Sequence, residues 1–150
     1  MRNVTLADSI IVGNDYVGGI AGQHDNGALV NCRVEESVTI GAGCDPACYH
    51  GGIVGSRYGT IHGCFSAATV TRSGKSSCSY YGGIVGHKAG RTIQDCLALG
   101  CAVTADGPRG AVAGRIYMPD AMCDFYGYNG YTSVFNNRWR DSKHFTAEEC

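Results

Sequence analysis

Short runs in which apolar and polar residues alternate dominate this chain. Ser37-Val38-Thr39, Thr69-Val70-Thr71 and Ala102-Val103-Thr104 each set a valine between small or polar neighbours, the period of a half-buried strand. Upstream lie Gly27-Ala28-Leu29-Val30-Asn31-Cys32, Gly59-Thr60-Ile61-His62-Gly63-Cys64 and Arg91-Thr92-Ile93-Gln94-Asp95-Cys96, each with an aliphatic residue three places before its cysteine. A glycine-flanked aliphatic run opens every unit, and a polar or Gly-containing loop closes it. Each unit therefore predicts three short strands. Alternation puts Ile20, Ile53 and Ile84 on one side and separates inward Ile61 and Cys64 from outward His62, which implies an inner row of small and aliphatic residues.

The units recur. Gly18-Gly19-Ile20-Ala21-Gly22, Gly51-Gly52-Ile53-Val54-Gly55, Gly82-Gly83-Ile84-Val85-Gly86 and the weaker Gly110-Ala111-Val112-Ala113-Gly114 start at steps of 33, 31 and 28 residues. Cys32, Cys64, Cys96 and Cys123 follow the last glycine of each motif by 10, 9, 10 and 9 residues. One unit presents a single narrow apolar face, so a core closes only when units stack, at about 4.8 Å per strand. The fold expected is all-β: a parallel β-solenoid of about four coils, with little helix before residue 115 and an irregular, aromatic-rich C-terminal cap. A sandwich of hairpins is the competing topology. Units fall near residues 14–46, 47–77, 78–105 and 106–122, and residues 123–150 form the expected cap of a single domain. Gly19, Gly22, Gly52, Gly55, Gly83, Gly86 and Gly114 suit corners with positive φ or close backbone approach.

The pattern Tyr-x-Gly-Gly-Ile-Val-Gly, then Gly-Thr-Ile-x-x-Cys, then an Ala-Thr-Val-like strand, resembles the GLUG-motif repeats of bacterial cell-surface proteins over residues 14–114. That resemblance implies an extracellular, cell-wall-associated or adhesin-like setting beside neighbouring domains of a larger protein, and it transfers no catalytic residue. The same repeats occur in a large zinc peptidase of immunoglobulin A, whose chemistry needs a His-Glu-x-x-His helix. This chain has no such sequence. Its opening residues read like the end of a preceding coil, so a fragment of a longer array is expected.

Charge narrows the partners. Twelve Lys and Arg against 13 Asp and Glu give a formal net charge of −1 with no basic run, which disfavours nucleic acid. No apolar stretch approaches the roughly 20 residues of a membrane span, so no membrane insertion is expected. Twenty-three glycines against three prolines fit tight turns between short strands.

Nine cysteines are the most conspicuous chemistry. Cys32, Cys64, Cys96 and Cys123 are expected as an inward core ladder, where a thiol behaves as a small hydrophobe. Cys44 and Cys48 could close a loop disulfide in an exported protein, and Cys48 and Cys78 could equally stand over one another on adjacent coils. Cys44, Cys48 and His50 form a zinc alternative, with Cys78 as a fourth ligand, although only one tight ligand pair is present. Otherwise no metal and no cofactor is expected. Tyr16, Tyr49, Tyr80 and Tyr81 precede the glycine motifs; Tyr49, Tyr80 and Tyr81 are the candidate face for a host glycan or protein ligand, against plain corner packing.

Catalysis is not expected. Asp25, Asp45, Asp95, Asp106 and Asp120 occupy different phases of the repeat, so no carboxylate pair shares a face, and no nucleophile elbow or phosphate-cradling loop occurs. The reading is a non-catalytic spacer or display scaffold with loop-mediated recognition. Its rivals are a glycan-binding or glycan-processing β-helix and, behind that, a Cys/His metal-binding protein.

Overall fold

The computed structural model describes residues 1–42, 49–57, 59–71, 80–89, 92–99, 103–104, 109–110, 112–118, 123–126, 134–135 and 138–140. Among them every regular element is a strand, and no helix is long and apolar enough to cross a membrane. Five sheets wrap the chain, each gathering strands from successive passes.

Sheet I joins β1 (Thr5–Leu6), β6 (Arg33–Val34), β11 (Phe65–Ser66), β16 (Leu97–Leu99) and β22 (Arg138–Arg140). Sheet II joins β2 (Ile10–Gly13), β7 (Thr39–Ala42), β12 (Thr69–Thr71) and β17 (Val103–Thr104). Sheet III holds β3 (Tyr16–Gly18), β8 (Tyr49–Gly51), β13 (Tyr80–Gly82) and β18 (Arg109–Gly110). Sheet IV holds β4 (Ala21–His24), β9 (Val54–Arg57), β14 (Val85–Ala89), β19 (Ala113–Met118) and β20 (Cys123–Tyr126). Sheet V holds β5 (Ala28–Val30), β10 (Thr60–His62), β15 (Ile93–Gln94) and β21 (Val134–Phe135). All neighbours are parallel except β19 and β20, which form an antiparallel pair. The architecture is a parallel β-solenoid.

Five strands per pass replace the three expected. Both extra breaks come from local backbone chemistry. The Thr-Ile-x-x-Cys run bends where Asn31, Gly63 and Asp95 take positive φ of 52°, 61° and 54°, a region that Gly, Asn and Asp tolerate best. The chain therefore leaves sheet V and enters sheet I two residues later. The second break splits the glycine motif, with its first glycine ending a sheet III strand and the residue after isoleucine opening one of sheet IV.

The core is a set of columns. Leu29, Ile61 and Ile93 stack in register in sheet V, Ile40 over Val70 in sheet II, and Val54 over Val85 over Ala113 in sheet IV, all fully or almost fully buried. Ile53, Ile84 and Val112 bury the corner between sheets III and IV, where amides of one pass donate to carbonyls of the next, as from Ile53 to Ile84 at 2.9 Å. Removing one such buried isoleucine side chain costs about 2–5 kcal/mol.

The segment expected as an irregular cap carries three strands among its described residues. β21 and β22 extend sheets V and I, and β20 folds back on β19. Cys123 starts β20 and pairs with Met118, so it stands outside the column of the other repeat cysteines. Spacing alone misplaced it: the next Sheet V strand after β15 is β21, 41 residues after Ile93 rather than about 30, and the hairpin fills the difference.

Candidate functional site

Each of β3, β8 and β13 starts with a tyrosine, and the strand register sets Tyr16, Tyr49 and Tyr80 one above another. Their rings stack, at 5.2 Å and 7° for the first pair and 5.5 Å and 19° for the second. Tyr16 is 44% exposed and the other two are half-buried, so the ladder lies on the outer surface. Sheet IV adds His87, whose ring centroid is 4.9 Å from that of Tyr49 and whose Nδ1 lies 3.4 Å from Ser56 Oγ.

Tyr81 does not belong to this face. It is the second residue of β13, and consecutive strand residues point to opposite sides, so it is fully buried beside His50. Those two rings meet at 5.1 Å and 52° inside the core. The binding candidates are thereby corrected to Tyr49 and Tyr80, with Tyr16 beside them. His87 carries no repeat signature that would have revealed it, since Ser56 and Gln23 hold its register position in the other passes.

The motif glycines are explained by crowding. A Cβ on Gly55 would stand 2.6 Å from the Tyr49 carbonyl oxygen, one on Gly86 2.4 Å from the His50 nitrogen, and one on Gly114 2.4 Å from the Tyr81 nitrogen. Sheet IV thus lies flat on the backbone of sheet III, which fixes the strand that carries the ladder. Gly19, Gly22 and Gly52 are equally hemmed in by backbone oxygens at 2.6, 2.6 and 2.1 Å. Positive φ among described glycines occurs at Gly27 and Gly63, outside the motif.

Cys32, Cys64 and Cys96 are free thiols, exposed by 1–2%. The Cys32 amide donates to the Cys64 sulfur at 3.4 Å, and the Cys96 thiol donates to its own Gln94 carbonyl at 3.3 Å. The neighbouring Cys96 side chain and then the Cys32 amide bring the Cys64 pKa down to about 7, against the opposing effect of burial. The partnership with Cys64 and then desolvation push Cys96 upward. Together the sulfurs form a closed column with no open face toward solvent.

No group of three His, Cys, Asp or Glu side chains among the described residues is placed to hold a metal ion. Cys44, Cys48, Cys78, Cys101 and Cys150 lie outside the described residues, and with them the loop disulfide. His50, the third member of the zinc alternative, is buried in the core against Tyr81. Elsewhere on the surface His62 Nε2 sits 3.0 Å from Asp95 Oδ2, and Arg33 pairs with Glu35 while its guanidinium covers the Phe65 ring at 4.1 Å. The Glu35 hydrogen bond raises the Arg33 pKa, and the Arg33 hydrogen bond lowers that of Glu35.

Residues 13–39 match the family model described as the GLUG motif. The chain carries a GLUG motif. Its span runs from the end of β2 to the first residue of β7, which is one pass around the solenoid. The strand register sets corresponding positions of the next two passes beside that unit, with Tyr16, Gly18 and Leu29 answered by Tyr49, Gly51 and Ile61, then by Tyr80, Gly82 and Ile93. No curated protein and no solved structure matched the chain.

Proposed function

We propose that this chain is a non-catalytic repeat module of an extracellular, bacterial surface protein, a stiff scaffold that displays variable loops along one edge. One observation carries the reading. Connections from sheet II to sheet III span residues 14–15, 43–48, 72–79 and 105–108, so they vary between two and eight residues. Those from sheet III to sheet IV and from sheet V to sheet I are two residues long on every pass. Over the first three passes length variation is thus greatest at the corner where the tyrosine ladder begins. Solenoids tolerate insertions at such an edge because the stacked core does not depend on them.

The test is to replace residues 43–48 and 72–79, singly and together, by two-residue Asn-Gly connections. The reading expects each variant to keep its circular dichroism and to melt within a few degrees of the native chain. Antibody raised against the chain should label intact, unpermeabilised cells that make the natural protein. Loss of folding on shortening either loop, or labelling only after lysis, refutes the proposal.

A further inference from the structure

We propose that the tyrosine ladder binds a neutral, extended polysaccharide laid along the solenoid axis, one sugar per rung; this rests on the display reading above and names its ligand class. The rings of Tyr16, Tyr49 and Tyr80 stack face to face, so the ladder itself consumes most of their faces. A platform that stacks sugars flat on aromatic faces is therefore not what this surface offers. It offers ring edges. Near-parallel rings in register line up their phenol oxygens in a row, with a repeat set by centroid spacings of 5.2 and 5.5 Å. A polymer read by that row must present a hydroxyl at close to each strand spacing, about 5 Å. Straight, equatorially linked glycans advance by such a step per sugar, whereas axially linked ones coil away from it.

Charge points the same way. The ladder is flanked by His87, Ser56 and Gln23, and the charged residues nearest this row carry opposite signs: Gln23 donates to Asp25 Oδ1 at 2.8 Å, and Arg115 follows His87 in register on β19. A neutral, polyhydroxylated ligand suits such donors and acceptors better than an acidic or basic chain. Each phenol contributes a modest hydrogen bond, so affinity accumulates rung by rung.

Titration of the full chain with β-1,4-linked gluco-oligosaccharides of one to six sugars, followed by calorimetry, tests the proposal. Affinity should tighten about tenfold or more between the monosaccharide and the trisaccharide, as two further hydrogen bonds require. Oligosaccharides linked α-1,4 should bind at least tenfold more weakly than their β-linked counterparts. Tyr16→Phe/Tyr49→Phe/Tyr80→Phe, which keeps the stack and removes the hydroxyls, should melt like the native protein and lose the length dependence. Should the triple variant misfold, Tyr49→Phe alone should still weaken trisaccharide binding several-fold. Affinity independent of length, equal binding of the α-linked series, undiminished binding by the Phe variants, or binding of a proline-rich peptide in place of the glycan overturns the inference. None of these results touches the loop-shortening test, so the display reading can stand where the glycan inference falls.

Discussion

Gly52→Ala probes the close stacking of passes most directly. A Cβ at this position would lie 2.0 Å from Ser66 Oγ and 2.1 Å from the Gly83 carbonyl oxygen, where at least 3 Å is needed. The serine hydroxyl can rotate away, but the carbonyl belongs to the next pass and cannot move alone. The adjacent Gly52 amide donates to Gly82 O at 3.1 Å and the Ile53 amide to Ile84 O at 2.9 Å. Opening the gap stretches these bonds, each worth about 0.5–1.5 kcal/mol net. Overpacking adds about 1–3 kcal/mol. A loss of roughly 3 kcal/mol follows, equivalent to a fall of about 6–12 °C in Tm for a chain of this size. Thermal and urea denaturation followed by circular dichroism measure it, with Gly41→Ala as control, because its Cβ would meet only Thr71 Oγ1 at an ordinary 3.6 Å. Adding Ser66→Ala should recover little, since the carbonyl clash persists. A Tm within 2 °C of native for Gly52→Ala, or full recovery in the double variant, would refute the argument that backbone crowding explains this glycine.

Other outcomes follow from the same geometry. Tyr81→Ala should cost about 3–5 kcal/mol in urea denaturation, as for other buried aromatics, whereas Tyr16→Ala on the exposed end of the ladder should cost about 1 kcal/mol. Asp95→Gly should be neutral or slightly stabilising, and Asp95→Val destabilising by at least about 1 kcal/mol, because a β-branched residue resists the φ of 54° found there. Cys32, Cys64 and Cys96 should alkylate far more slowly in the native chain than in denaturant, read peptide by peptide by mass spectrometry. At pH 8, above the value of about 7 set for Cys64 by its Cys96 and Cys32 partners, access rather than ionisation should limit that rate, so raising the pH further should accelerate it little.

The repeat was plain in the sequence because the constraints that produce it act at single positions. Gly52 and Gly82 are glycines because their neighbours leave no room for a Cβ, and Ile61 and Ile93 are aliphatic because they close one column. The corners were harder to see. Asn31, Gly63 and Asp95 precede three cysteines and share the left-handed conformation, yet three different residue types meet that one demand, so no identity repeats. Missing them merged two strands into one. The tail was misread for a different reason: the hairpin of β19 and β20 delays the return to sheet V, and a fixed count from the last glycine motif then lands on Cys123 rather than on the column.

Tyr80 and Tyr81 show how far a single position decides which side of the sheet a ring takes. Both precede the same glycine pair, both are aromatic, and composition cannot separate them. Period two does: whatever side Tyr80 takes, Tyr81 takes the other. The outer column then keeps tyrosine on three passes, while the inner one changes from Val17 to His50 to Tyr81. A core column tolerates such changes in size only if the surrounding passes differ to match, so its members are set by local packing. The outer column has solvent on one side and no volume to fill. Its constancy must come from the stack itself or from a ligand that reads it, and only the hydroxyls distinguish the two. Phenylalanine stacks as well as tyrosine does, so a purely structural ladder gains nothing from three phenols, whereas a row that binds requires them. Replacing Tyr16, Tyr49 and Tyr80 by phenylalanine therefore separates the explanations through one comparison: unchanged Tm with lost glycan affinity assigns the column to recognition, and unchanged Tm with no glycan affinity in either protein assigns it to stacking alone.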